Sequence, residues 1–241
     1  MEYLYVLLIM LVAGLVQGSC GFGAGLVGMS LMPFFFDYKT ALPIMFIGGA
    51  VISMRLLAAT FRHVNWKLFL VPAAFSFLGR IAGLLAFNKY SNSTLSIILG
   101  CLIILVAIFQ LLFSQKIRIR PSFANGALAG VLSGIFGGLA SASGPPLVVY
   151  YMNARLEKTE YIATLQATFV AGSLFSISLR AASGAYTAHS LSYGAMAAVG
   201  VAVGSTIGLS LFHAMKREML QKIINLVLFA MGVSIIIKAA A

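Results

Sequence analysis

Acidic residues are nearly missing from this chain. Its 241 residues include five Asp+Glu against sixteen Lys+Arg, and charged residues make up only 9% of it. A soluble chain carries roughly 25% charged residues, so a soluble α/β enzyme and a disordered chain are both excluded. Cysteine is scarce as well. Cys20 and Cys101 sit in apolar runs with no C-x-x-C spacing, which excludes a disulfide scaffold and leaves two buried thiols as the expectation. The three histidines, His63, His189 and His213, form no metal motif, and neither a metal nor a cofactor is expected. What fills the chain is hydrophobic: 61% of residues, with a mean hydropathy of +1.03. The formal charge of +11 lies in short basic clusters between apolar runs. That is the orientation signal of a membrane protein and not a nucleic-acid surface. Met1-Glu2 opens no basic n-region and no small-residue cleavage site follows, so the first apolar segment is expected to stay in the membrane.

A crossing takes about 20 apolar residues for roughly 30 Å of hydrocarbon. Six runs qualify: 41–60, 68–87, 95–113, 161–180, 191–212 and 219–237. Two longer segments, 3–36 and 123–152, are interrupted by Gly18-Ser-Cys-Gly-Phe-Gly-Ala-Gly25 and Gly134-Ile-Phe-Gly-Gly-Leu-Ala-Ser-Ala-Ser-Gly-Pro-Pro146. An unbroken helix over 3–36 would measure about 50 Å, too long for one crossing and short for two. Two half-length helices meeting at a glycine tip fit better. Charge supports that layout. If each broken segment returns to its starting side, one face collects Arg62, Lys67, Lys116, Arg118, Arg120, Arg155, Lys158, Lys216, Arg217 and Lys222, and the other only Lys39, Lys89, Arg180 and Lys238. By the positive-inside rule both termini then face outside.

The halves resemble each other. A shift of 116 matches Gly14/Gly130, Gly18/Gly134, Gly21/Gly137 and Gly28/Gly144, and a shift of 125, weighted less, matches Gly79/Gly204 and Gly83/Gly208. The expected fold is an all-α polytopic membrane protein of two inverted repeats, each a broken re-entrant hairpin followed by three transmembrane helices. The repeats span 1–115 and 123–241, joined by a basic cytoplasmic linker at 116–122. Inverted repeats with discontinuous helices at matching places point to a secondary transporter.

Irregular backbone survives at membrane depth only when buried in protein or lining a cavity, so the two tips should face each other near the midplane. Helices restarting there aim free N–H groups and a positive dipole end at the gap. Gly18, Gly21, Gly23, Gly25, Gly137, Gly138 and Gly144 would let an anion approach the backbone, and Ser19, Ser141 and Ser143 would add hydroxyl donors. The competing reading is close helix packing by small-xxx-small pairs, which suits Gly14/Gly18, Gly130/Gly134 and above all Gly204/Gly208. All five acids, Glu2, Asp37, Glu157, Glu160 and Glu218, fall at termini or loops, whereas Arg80 falls well inside a span. A mid-membrane arginine costs at least ~2.5 kcal/mol and needs a carboxylate, a cavity or a ligand. Arg80 is therefore assigned to an anionic substrate or to bracing the tips. Arg55 is divided between a buried role and snorkelling, and Arg62 and Arg180 are expected to snorkel. Gln17 and Gln166 are assigned to a polar pocket, with interhelical bonding as the alternative; Gln110, Thr164 and Thr168 are further polar residues within spans.

These two tips, Gly18–Gly25 continuing to Met32-Pro33 and Gly134–Pro146, resemble those of the sulfite exporter TauE/SafE family of the 4-toluene sulfonate uptake permease group, over essentially the whole chain. The resemblance implies a transporter of sulfite, organosulfonates and related sulfur-containing anions in the bacterial inner membrane. The chain departs from the family at Ala140-Ser-Ala-Ser143, where many members carry more glycine. Its partners would be a small anion and the lipid bilayer, with no nucleic acid, and its small-residue faces leave room for a homodimer. An anion channel using the same tips as a filter is the alternative. An enzyme is not expected, since no H-E-x-x-H motif and no paired intramembrane carboxylates occur.

Overall fold

The computed structural model describes the backbone of residues 1–112, 120–214 and 217–240, and their side chains except at 110–112, 211–225, 227 and 240. Linker residues 116–119, Lys216, and the side chains of Gln110, His213, Arg217, Glu218 and Lys222 lie outside that description. The described residues form no strand. They form α1 (Glu2–Cys20), α2 (Ala24–Leu31), α3 (Tyr38–Ala58), α4 (Trp66–Lys89), α5 (Asn92–Leu112), α6 (Phe123–Ala140), α7 (Gly144–Met152), α8 (Lys158–Ala182), α9 (Ala188–Ala214) and α10 (Arg217–Ala240). Among them α1, α3, α4, α5, α6, α8 and α9 are long and apolar enough to cross a membrane.

Local chemistry sets the starts. The Asn65 side chain accepts from Leu68 N–H at 3.1 Å at the head of α4, and Ser122 accepts from Asn125 N–H at 3.3 Å at the head of α6. The breaks fall at the glycine-rich centres but are lopsided. A helix of 19 residues precedes the first break and one of 8 follows it; the second separates 18 residues from 9. The expectation of two half-length helices is corrected here: α1 and α6 are each long enough to cross alone. The two ends of each broken segment nevertheless lie together. Tyr5 stacks on Phe35 with ring centroids 4.4 Å apart, and a Cβ on Gly126 would be 3.0 Å from the Tyr150 hydroxyl. Each segment folds back on itself.

Small residues decide which helices touch. α1 packs along α9, and α4 along α6. A Cβ on Gly14 would sit 2.7 Å from Val201 O, and one on Gly18 2.6 Å from Ser205 O. On the other pair, a Cβ on Gly130 would sit 2.5 Å from Pro72 O, and one on Gly134 would collide with Ser76 O. Gly204 and Gly208 lie as tightly against Leu11 and Leu15. All three small-xxx-small pairs are therefore packing surfaces. Exchanging α1–α5 for α6–α10 turns the α1–α9 contact into the α6–α4 contact. It leaves α3 on α8 and α5 on α10 unchanged. Cys20 is buried, whereas Cys101 is exposed on α5, correcting the expectation of two buried thiols.

Candidate functional site

Both breaks turn on residues in the left-handed region. α1 stops at Gly21 (φ 81°), whose N–H donates to Gln17 O at 2.7 Å, and Gly23 (φ 110°) heads α2. α6 stops at Ser141 (φ 54°): its N–H donates to Gly137 O at 2.9 Å while Ala142 N–H donates to Phe136 O at 3.2 Å. The Ser141 bond is the single bond of a left-handed helix cap, and the Ala142 bond reaches one carbonyl further back. The tips meet. No Cβ fits on Gly25 because Ser141 O occupies its place, and a Cβ on Gly144 would be 2.9 Å from the Phe22 ring.

Between the tips lies a cavity of about 30 Å³, on the measure in which one water needs about 10–15 Å³. The heads of α2 (Gly23, Gly25) and α7 (Ser143, Gly144) line it, together with Arg80 and Ser173. Gly49, near the middle of α3, forms an open wall, with the Ser141 and Ser173 hydroxyls 3.9 and 4.0 Å from where its Cβ would be. Arg80 is 3% exposed. Its Nη1 donates to Ser176 Oγ and its Nη2 to Ser143 Oγ, both at 2.7 Å, and its Nε has no hydrogen-bond partner. Gly137 and Gly172 make room for the guanidinium, since a Cβ on either would run into it. Among the described residues no carboxylate bonds Arg80.

The helix ends around the cavity are treated unequally. The carbonyl ends of α1 and α6 are covered: Gln166 Nε2 donates to Gly21 O at 2.6 Å, Arg180 Nη2 to Gly138 O at 2.7 Å, and the Tyr38 hydroxyl to Leu139 O. The amino ends of α2 and α7 receive no bond from the side chains of Gly23 and Ser143, although Ala24 N–H at the head of α2 donates to Gln17 Oε1 at 3.3 Å. Negative helix ends are thus neutralised by donors, while the amino ends, covered only by the neutral Gln17 amide at α2, and a cation face the cavity, the arrangement that suits an anion. Pro145 and Pro146 lie in the first turn of α7 and contribute no N–H there.

Of the residues singled out in the sequence, Gln17, Gly23, Gly25, Arg80, Ser141, Ser143 and Gly144 line this cavity. Gln166 joins it through Gln17, whose Nε2 lies 3.4 Å from Gln166 Oε1, and Gly137 and Gly138 wall the Arg80 side chain. Gly18, Ser19 and Gly21 are directed elsewhere. They border a separate space beside Lys158, and Ser19 Oγ donates to Leu15 O and Gly208 O at 2.8 and 2.9 Å. Thr164 and Thr168 bond their own helix, and Thr168 also the Tyr151 hydroxyl. Arg55 ties α3 to α9 through Ala202 O, Ser205 and Thr206, away from the cavity.

Arg180 does not snorkel. It is 2% exposed, with its guanidinium carbon 4.1 Å from the Phe87 centroid and 5.1 Å from that of Phe46. α8 runs on to Ala182, so Arg180 lies inside the helix and on the face it turns to the bundle. The sequence held a signal for this. Gln166, Ser173, Ser176 and Arg180 fall on one face of α8 at spacings of seven, three and four, a polar stripe interrupted only by Phe169. Ser173, Ser53, Gly49, Leu26, Ala142 and the rings of Phe22 and Phe169 complete the cavity wall and are not singled out in the sequence.

Residues 6–235 match the family model described as sulfite exporter TauE/SafE. No curated protein and no solved structure matches the chain.

Proposed function

The chain belongs to the sulfite exporter TauE/SafE family of membrane transporters, and from that membership we propose that it carries small sulfur oxyanions through the cavity between its two helix breaks. Arg80 is the observation that carries the reading. A buried guanidinium with an unused Nε is held by two serine hydroxyls and, among the described residues, has no carboxylate as counter-ion. In hydrocarbon an isolated cation is costly, and a bound anion supplies the missing charge. The amino ends of α2 and α7 also bring their positive dipole ends to the cavity from two sides. Size narrows the class: room for about two waters suits sulfite, and an organosulfonate would require the tips to part. A cavity this small between touching tips also fits a carrier better than a wide filter.

The packing exchange between α1–α9 and α6–α4, with each broken segment returning to its own side, supports two inverted re-entrant repeats that alternate access about a fixed midplane site. The charge distribution supports an inner-membrane protein with both termini outside. The small-residue faces on which a homodimer was expected are taken up by helix packing within the chain.

Purified protein should be stabilised against heat by sulfite, because a ligand binding only the folded state raises its melting temperature by mass action. Proteoliposomes should pass ³⁵S-sulfite faster than empty vesicles. Stabilisation and flux that are identical for sulfite and for an uncharged analogue of its size would refute the reading.

A further inference from the structure

Arg80 and Arg180 are rungs of one ladder. Ser176, which accepts from Arg80 Nη1, and Arg180 lie four residues apart on α8, so both face the same way one turn apart. Both guanidiniums bear on the end of α6, Arg80 beside Gly137 and Arg180 on Gly138 O. Arg180 has no carboxylate bonded to it among the described residues, and its Nη1 is buried without a hydrogen-bond partner. Burial pushes the nearby Tyr186 phenol up to about 12, the Arg180 cation pulling the other way, so the loop between α8 and α9 supplies no counter-charge at neutral pH.

Beyond Arg180 the cations continue. The Phe87 ring has Arg180 4.1 Å from its centroid and the exposed Lys39 ammonium at 5.7 Å. Tyr38, whose hydroxyl bonds Leu139 O next to the Arg180 contact, is also a wall of a second cavity of about 240 Å³. Asn92, Ser93, Ser96 and Lys238 border that space, and Asp37 puts one negative charge on the same wall. With one lysine and one aspartate in its lining, this space has no strong charge preference of its own.

Resting on the reading of Arg80 as the midplane anion site, we propose that Arg180 is a second anion-binding residue, a relay that takes the anion from Arg80 and releases it past Tyr38 and Phe87 into the cavity at Lys238. The spare Nη1 receives the anion. The Gly138 carbonyl and the two rings fix the guanidinium while it does so.

The test uses full-length protein with ³⁵S-sulfite as probe, measuring sulfite-dependent thermal stabilisation and proteoliposome flux on the same preparations. Arg180→Gln should lower flux at least tenfold while keeping most of the sulfite-dependent stabilisation, and Arg180→Lys should recover a substantial part of the flux. Unchanged flux in Arg180→Gln would overturn the relay. So would equal loss in Gln and Lys variants that both melt lower, since Arg180 would then only brace α6. A second arm leaves Arg180 in place. In a Cys20→Ala, Cys101→Ala background, Ser96→Cys labelled with a bulky maleimide should cut flux at least fivefold and leave sulfite-dependent stabilisation unchanged; undiminished flux would overturn the route. A wild type inert toward sulfite in both assays, or an Arg80→Gln variant that behaves as wild type, would instead sink the midplane site beneath it.

Discussion

Gly25 and Ser141 touch through their backbones: the Ser141 carbonyl oxygen occupies the space a Cβ on Gly25 would need. This contact joins the two helix breaks and closes the cavity on one side. Gly25→Ala must push the tips apart or twist one of them. Overpacking of this kind costs about 1–3 kcal/mol, and here the displaced backbone is the cavity wall. We expect Gly25→Ala to fold, to melt lower, and to lose at least tenfold in sulfite affinity. Circular dichroism for helix content and titration of the thermal shift would check it, and unaltered affinity would mean the contact is incidental.

Arg80 should be the most sensitive position. Hydrogen bonds to charged groups contribute about 1.5–3 kcal/mol, so Arg80→Gln is expected to weaken sulfite binding at least tenfold. Arg80→Lys keeps the charge but cannot hold Ser143 and Ser176 with one planar fork. It should bind more weakly than wild type and more tightly than Arg80→Gln. The ranking is read from the sulfite concentration giving half-maximal stabilisation in each variant.

Much of this layout is legible in the sequence. Uninterrupted apolar runs mark their own helices, and a glycine cluster inside a run too long for one crossing marks a break. The lopsided division at each break was not legible, because glycine content shows where backbone can turn and not which flank continues as helix. The first tip was read as one unit, yet Gly23 and Gly25 face the cavity while Gly18 and Ser19 face α9. Only the direction of the turn at Gly21 separates them. The repeat shift for α4 and α9 was misleading in a similar way. Gly18 meets Ser205 and Gly134 meets Ser76, so packing aligns Ser76 with Ser205 and Gly79 with Gly208, a shift of 129 and not 125. Glycines spaced four apart match themselves one turn out of register as easily as in it. Arg180 was misplaced because its position near a span end outweighed its place on the polar stripe of α8.

Ser19 and Ser143 make a paired comparison. Both are tip serines, but Ser19 bonds helix carbonyls and Ser143 bonds Arg80. Ser19→Ala should cost about 0.5–1.5 kcal/mol of stability and leave sulfite affinity within twofold. Ser143→Ala should weaken binding several-fold by loosening the guanidinium. Equal effects on affinity would contradict the division of the tips.

Orientation can be tested where the two ends of the bundle differ. At one end Lys39 N–H donates to Asn92 Oδ1 at 3.2 Å, and Lys238 Nζ donates to Pro33 O and Phe34 O at 3.0 and 3.2 Å. This end gathers the start of α3, the start of α5 and the end of α10. At the other end Asn65 Nδ2 donates to Glu160 at 2.7 Å, bringing the α3–α4 turn with Arg62 and Lys67 to the head of α8. Among the described residues Arg62, Lys67, Arg120, Arg155 and Lys158 belong to this second end, and the orientation proposed from the positive-inside rule puts it in the cytoplasm. In a Cys20→Ala, Cys101→Ala background, a membrane-impermeant maleimide should label Lys39→Cys and Lys89→Cys in intact cells. It should reach Arg62→Cys and Arg120→Cys only after permeabilisation. The reverse pattern would turn the protein over, placing the Arg180 route on the cytoplasmic side, and labelling of all four in intact cells would break the assignment of two faces. The outcome also fixes which way the relay faces, because Lys39 and Lys238 stand at its open end.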